Sequence, residues 1–174
     1  MFNPFRWSFR AQFFSGFIAC ALLIVYALYT QYYLKLDPCP LCIFQRIGIM
    51  AMGVLFLMGA LQNPATLGRR IYAMMIALAG LLGASVALRH IWIQHLPKNL
   101  VPACGPGLDF MLDTFPLSKT LKMVFTGSGE CAEVSWNFLG LSMPEWVLIC
   151  YLLLIVGALW SGFCKRTPAL PPSK

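Results

Sequence analysis

Charge is what this chain lacks most. Asp, Glu, Lys and Arg together supply 11% of its 174 residues, less than half the roughly 25% of a soluble domain. So little charge cannot cover a water-exposed globule, which excludes a separate soluble domain over most of the length. Strand-like alternation is also missing from the apolar stretches, and that excludes a barrel route across a bilayer. There is no internal repeat beyond the alternation of apolar runs and connections. Nor does the first apolar run close on a small-x-small cleavage site, and it is too long for the core of a signal peptide. Phe17-Ile18-Ala19-Cys20 resembles a lipoprotein cleavage box only faintly, and cleavage there would remove half of that run.

What is present is apolar: 59% of the residues, gathered into four runs at about 13–33, 43–61, 71–89 and 146–163. Each is close to the ~20 residues (range roughly 17–25) that hydrocarbon demands. Backbone polar groups cannot stay unpaired in lipid, so each run is predicted to be a helix. The expected fold class is an all-α membrane protein: one integral-membrane four-transmembrane-helix bundle over residues 1–174, with outer connections at about 34–42 and 90–145.

Acidic residues are absent from one side of that bundle. Arg6, Arg10, Arg69, Arg70, Lys165, Arg166 and Lys174 fall on the side of the termini with no acid among them. The other side holds Lys35, Arg46, Arg89, Lys98, Lys119 and Lys122 against Asp37, Asp109, Asp113, Glu130, Glu133 and Glu145. The whole net charge of +7 therefore sits on one face. The positive-inside rule then makes both termini cytoplasmic and the 90–145 connection external. This charge is a topology signal facing membrane lipid, not a nucleic-acid patch.

That orientation sorts the seven cysteines. Cys39, Cys42, Cys104 and Cys131 belong to the outer connections, where disulfides persist if the compartment is oxidising. Four cysteines allow three pairings, and local spacing favours Cys39 with Cys42, leaving Cys104 with Cys131. Cys20 and Cys150 read as small buried apolar residues, and Cys164 as a bystander thiol. Pro97, Pro102, Gly105, Pro106 and Gly107 surround Cys104 and oppose regular structure there. Leu117, Leu121, Val124 and Phe125 recur at helical spacing, either as an interfacial amphipathic helix or as a small core helix of the connection.

Cys39-Pro40-Leu41-Cys42 stands where a polar turn meets the second apolar run. Pro40 suits the first helical position, where a missing N–H is no loss. Cys39 then becomes the cap and Cys42 lies in the first turn, where free backbone N–H groups stabilise a thiolate, the reactive form in thiol exchange. Arg46 follows Cys42 by four residues and shares its helical stripe. A cation at membrane depth needs a partner: a Cys42 thiolate, an acceptor oxygen gaining charge, or outer headgroups reached by snorkelling. The stripe shared with the cysteines favours the first two. His90 ends the third run on the same side, either as a satisfied interfacial polar residue or as a proton or hydrogen-bond donor. Trp92, Trp136 and Trp146 read as interfacial anchors.

Together these residues resemble a known family. Cys39-Pro40-Leu41-Cys42-Ile43-Phe44-Gln45-Arg46 is similar to the signature of the disulfide bond formation protein B (DsbB) family, bacterial inner-membrane thiol oxidases. Arg89-His90-Ile91-Trp92-Ile93-Gln94, the lone Cys104, and Gly129-Glu130-Cys131-Ala132-Glu133 leading into Trp136-Asn137-Phe138-Leu139-Gly140-Leu141 agree with it. The resemblance implies a protein-dithiol:quinone oxidoreductase that reoxidises the soluble periplasmic oxidase DsbA. It implies that Cys104 is attacked by the DsbA thiolate with Cys131 as its partner, and that Cys39 and Cys42 pass the electrons to a quinone, ubiquinone or menaquinone. Arg46 and His90 are implied as quinone contacts, and Cys20, Cys150 and Cys164 inherit no role. DsbA is itself a strong oxidant, at about −120 mV, so its acceptor must be more oxidising still.

Two rival readings use the same residues. Four thiolates from Cys39, Cys42, Cys104 and Cys131 would suit a structural zinc, although the second pair lacks CxxC spacing. Alternatively the bridges brace a membrane scaffold without catalysis.

Overall fold

Ser8 starts the first helix: its hydroxyl accepts the Ala11 N–H at 3.3 Å, and α1 runs Phe9–Tyr32. In the computed structural model, which describes residues 8–35, 38–97, 129–132 and 137–164, three more long helices follow. Pro40 opens α2 (Pro40–Gln62), with Cys39 as its cap; Asn63 closes it in the left-handed region at φ 40°. The connection to α3 (Thr66–Gln94) is therefore short. Glu145 starts α4 (Met143–Phe163) by accepting the Ser142 N–H at 2.6 Å and the Ser142 hydroxyl at 2.9 Å.

All four helices are long and apolar enough to cross a membrane, with 24, 23, 29 and 21 residues. At about 1.5 Å per residue the shortest spans roughly 30 Å, the thickness of hydrocarbon. They carry lipid-facing apolar side chains such as Leu22, Val54, Leu78 and Leu153, all exposed. The expected all-α class with four spanning helices is what the structure has. The helices outrun the apolar windows, most at α3, which starts at Thr66 rather than 71 and ends at Gln94 rather than 89. Hydropathy windows stop at charge, whereas helical hydrogen bonding continues through Arg69, Arg70, Arg89 and His90. Residues 40–42, 90–94 and 143–145, expected in connections, are consequently helical.

α3 packs most extensively on α4, α1 on α2, and α2 on α3; α1 and α4 meet sparsely, and α2 and α4 barely touch. The helices thus form a ring in chain order whose loosest seam lies between α1 and α4. Ahead of α4 the chain makes a 3-10 turn at Gly129–Ala132 and a hairpin pairing Asn137–Phe138 with Leu141–Ser142. Leu139 and Gly140 form its tip at φ 54° and 80°. Two positive φ values in a two-residue loop suit the right-handed strand twist.

Close helix approach depends on small residues, as it does in membranes generally. Tyr151 of α4 is fully buried and reaches between Gly48 of α2 and Gly83 of α3, where an added Cβ would collide with its ring and hydroxyl. Its hydroxyl donates to the Gln45 carbonyl at 2.6 Å, so one side chain ties three helices together. Phe13, Phe56, Met52, Ile76 and Ile155 complete the buried core, with Phe13 and Phe56 edge to face at 5.3 Å.

Gly83→Val should therefore abolish the folded, monodisperse state in detergent. Tyr151→Phe, which removes only the hydroxyl, should cost about 0.6–2 kcal/mol, the range for interhelical hydrogen bonds in membranes. Thermal unfolding followed by circular dichroism and size-exclusion profiles checks both; equal stability of the two variants would contradict the notch.

Candidate functional site

The mouth of α2 gathers the sulfur. Cys39 at the cap accepts the Cys42 N–H on its Sγ at 3.4 Å, and the two sulfurs lie 3.1 Å apart as free thiols. That cap geometry brings them side by side, so a small side-chain rotation reaches the ~2.05 Å of a disulfide. One helical turn deeper, Gln45 is buried.

His90 of α3, also buried, faces both thiols. Its Nε2 is 3.9 Å from Cys39 Sγ and its Nδ1 is 4.0 Å from Cys42 Sγ. The Gln45 side-chain nitrogen lies 3.3 Å from Nδ1. The 3-10 turn at Gly129–Ala132 packs against α3. Cys131 is buried, in one cluster with Cys39, Leu41, Val86 and Ile93, and Cys42 packs against that cluster. Of the four expected cysteines, Cys39 and Cys42 thus face one imidazole, and Cys131 packs in the same buried cluster as Cys39. Cys104 lies outside the described residues, as do Trp136 and the helical pattern at Leu117 to Phe125.

Arg46 follows the stripe as expected, yet it takes different partners. Its guanidinium donates to the Gln31 side-chain carbonyl and, at 3.1 Å, to the Ala27 backbone carbonyl, both on α1. Both acceptors are neutral, so the cation is fixed in place without being neutralised by them. Gln31 was missed in the sequence; a glutamine near the end of an otherwise apolar run was the available signal.

These groups line a cavity of about 430 Å³, within the range of small-molecule sites. Cys39, Cys42, Arg46 and His90 form its polar end, and Leu23, Ile24, Ile49 and Val147 supply apolar walls from α1, α2 and α4. Phe138 and Trp146 border it from the hairpin side, with the Trp146 indole N–H donating to the Phe138 carbonyl at 3.1 Å. Gln94, four residues after His90, adds a buried side-chain oxygen that has no hydrogen-bond partner among the described residues. Cys150 corrects an expectation: it is only half-buried and lines the cavity, because its face of α4 turns toward the loose α1 seam and not into the core. Cys20 is buried in the core as expected, and Cys164 is exposed. Trp92 is exposed at the outer end of α3, as an interfacial anchor requires. The His95 ring sits 2.9 Å from the Ile91 carbonyl, a local contact at the end of α3.

Apolar walls, a fixed cation and an unpaired acceptor at one end suit a flat, lipid-soluble molecule bearing carbonyl or hydroxyl oxygens. For metal ions, the described residues offer one cluster, Cys39, Cys42 and His90, with ligating atoms all within 4.8 Å of one another. It contains two of the four cysteines expected for a zinc site, with an imidazole added.

The sequence matches the family model described as disulfide bond formation protein DsbB over residues 9–161. Proteins named disulfide bond formation protein B are among its relatives. That of Xanthomonas axonopodis pv. citri is 49% identical over 165 residues, covering 94% of this chain and 96% of the relative. That of Nitrosococcus oceani is 52% identical over 155 residues, covering 89% and 92%. A Methylococcus capsulatus relative is 52% identical over 145 residues, covering 83% and 88%.

Because Cys42 is more accessible than Cys39 and opens on the cavity, a small uncharged maleimide should modify Cys42 first in the reduced protein. Timed alkylation read by mass spectrometry checks the order, with Cys131 the slowest of the three; faster labelling of Cys39 would contradict the geometry.

Proposed function

The chain belongs to the disulfide bond formation protein DsbB family, a membrane oxidoreductase of disulfide formation, and from that premise we propose that it moves electrons from a DsbA-type dithiol to a membrane quinone. The observation that carries this reading is that Cys39 and Cys42 face His90, with Cys131 packed in the same buried cluster as Cys39, beside a cavity whose polar end holds Arg46. A bridge between Cys104 and Cys131 receives the partner's thiolate at Cys104 in this reading. Cys131, once released as a thiolate, attacks the neighbouring Cys39–Cys42 bridge, and their common burial favours that exchange. In the net reaction a partner dithiol loses two electrons and two protons and becomes a disulfide.

A quinone, when bound, supplies the acceptor of those two electrons and two protons. The residues present fit such a group. Apolar walls take a ring and its hydrocarbon, the Arg46 cation favours negative charge on a ring oxygen, and the Gln94 oxygen accepts a hydroxyl hydrogen bond. Gln31 and Ala27 hold Arg46 at the cavity wall. His90, 3.9 Å from Cys39 Sγ and 4.0 Å from Cys42 Sγ, stands where it can give or take a proton at the pair. The seven-cation face is cytoplasmic in this reading, which sets the thiols on the periplasmic side of a bacterial inner membrane, with both termini inside and the long connection between α3 and α4 outside.

Anaerobic mixing of purified protein, reduced DsbA-type partner and quinone tests the path. Cys42→Ser should block quinone reduction, whereas Cys104→Ala should stop partner oxidation while quinone still oxidises the Cys39–Cys42 pair. Normal turnover by Cys42→Ser would defeat the assignment. Arg46→Ala should raise the apparent KM for quinone about tenfold or more, and Gln31→Leu should raise it in the same direction by less. An unchanged KM in both would return the guanidinium to a purely structural place.

A further inference from the structure

We infer that the reduced Cys39–Cys42 pair and His90 form a redox-gated binding site for a zinc-class cation, a soft or borderline d10 ion. The inference rests on the proposed reading in one respect, that the pair is a dithiol for part of each turnover. Three ligand types preferred by such ions, two thiols and an imidazole, lie within 4.8 Å of one another. With zinc–sulfur bonds of about 2.3 Å and zinc–nitrogen bonds of about 2.0–2.1 Å, a tetrahedral site sets sulfurs ~3.8 Å apart and sulfur from nitrogen ~3.6 Å. The sulfurs here are 3.1 Å apart, with Nε2 3.9 Å from Cys39 Sγ and Nδ1 4.0 Å from Cys42 Sγ; one ring nitrogen, the atom a single ion would take, lies within 4.8 Å of both sulfurs. Small side-chain shifts suffice to reach the coordinated geometry.

The backbone favours the same outcome. Cys39 caps α2 with its sulfur facing the Cys42 N–H, and Cys42 lies in the first turn, where a helix N-terminus favours the anionic sulfur a metal requires. All three residues line the cavity, so the fourth corner of the tetrahedron opens onto it, as in sites that keep an exchangeable position. Binding releases the two Cys–SH protons to solvent and moves no electron. A Cys39–Cys42 disulfide has no thiolate to offer, so oxidation closes the site. An ion held there would occupy both sulfurs and arrest electron transfer, making the reduced enzyme sensitive to metal and the oxidised enzyme indifferent.

The test uses full-length protein in detergent, reduced anaerobically, desalted and titrated with Co²⁺ and then Zn²⁺. One ion per chain is expected, with a sulfur-to-cobalt charge-transfer band, two protons released, and Cys39 and Cys42 protected from alkylation. Oxidised protein should not bind. Cys39→Ser should abolish the band, while His90→Ala and His90→Gln should each weaken binding at least tenfold. Cys164→Ser, at the opposite end of α4 and exposed, should bind like the unmodified chain. Unchanged affinity in both His90 variants, binding by the oxidised chain, or protection of Cys104 would each overturn the site. Quinone reduction by the metal-free reduced chain is measured alongside. Its absence defeats the oxidase reading while the metal titration is scored separately.

Discussion

Inside hydrocarbon a polypeptide must satisfy every backbone N–H and C=O from within itself. That constraint makes each apolar run a helix and fixes where chemistry can occur. Mid-helix backbone is committed to its own hydrogen bonds, so free N–H groups exist only at helix mouths. The Cys39-Pro40-Leu41-Cys42 segment is placed at such a mouth. Pro40 removes a donor that would be orphaned anyway, and the Cys39 sulfur answers the Cys42 N–H that remains. The turn that starts the helix therefore also sets two thiols side by side in the one part of the span that favours their ionised form.

Tertiary packing then supplies what the mouth lacks. α3 contributes His90, whose Nδ1 lies 3.3 Å from the Gln45 side-chain nitrogen of α2, and packs against the 3-10 turn that carries Cys131. The Gln45 carbonyl is in turn tied to Tyr151 of α4, which fits only because Gly48 and Gly83 leave room. A chain of contacts thus connects the deepest part of the bundle to the imidazole beside the thiols. The 3-10 turn at Gly129–Ala132 brings Cys131 to that place, and the hairpin before α4 sets Phe138 and Trp146 along the cavity. The ring is tight where α2, α3 and α4 hold this chain of contacts and loose between α1 and α4, where the cavity's apolar walls face each other.

Much of this was readable in the sequence, for identifiable reasons. Four apolar runs and their charge breaks give helices because hydrocarbon allows few alternatives. Cys39, Cys42 and Arg46 are close in sequence on one helix, so their shared stripe follows from the 3.6-residue period alone. His90 could be nominated from its place at a helix end, but its contacts depend on how α3 packs against α2, which periodicity does not encode. Gln31 and Gln94 escaped notice because a glutamine near the end of an apolar run has several ordinary explanations. Cys150 was misjudged because burial within a span depends on which side of the ring a residue faces. Helix ends were underestimated since hydropathy detects hydrocarbon while hydrogen bonding sets helix length.

The Arg46 contacts have a consequence for the proposed chemistry. A buried cation is commonly held by a carboxylate, and such a pair cancels most of the field around it while burying two charges at considerable cost. Here the guanidinium is held by an amide oxygen and a backbone carbonyl. These fix its position through two of its N–H groups and bring no negative charge of their own. In low-dielectric surroundings the guanidinium charge acts strongly over several ångströms. It stabilises whatever anion forms nearby, first a thiolate at Cys42 one turn away on the same helix face and then negative charge on an acceptor oxygen in the cavity. A carboxylate in place of Gln31 would hold the arginine equally well and weaken both effects. In the proposed electron path, neutrality of the clamp is therefore as important as its geometry, because negative charge must move from sulfur to oxygen without either end becoming a trap.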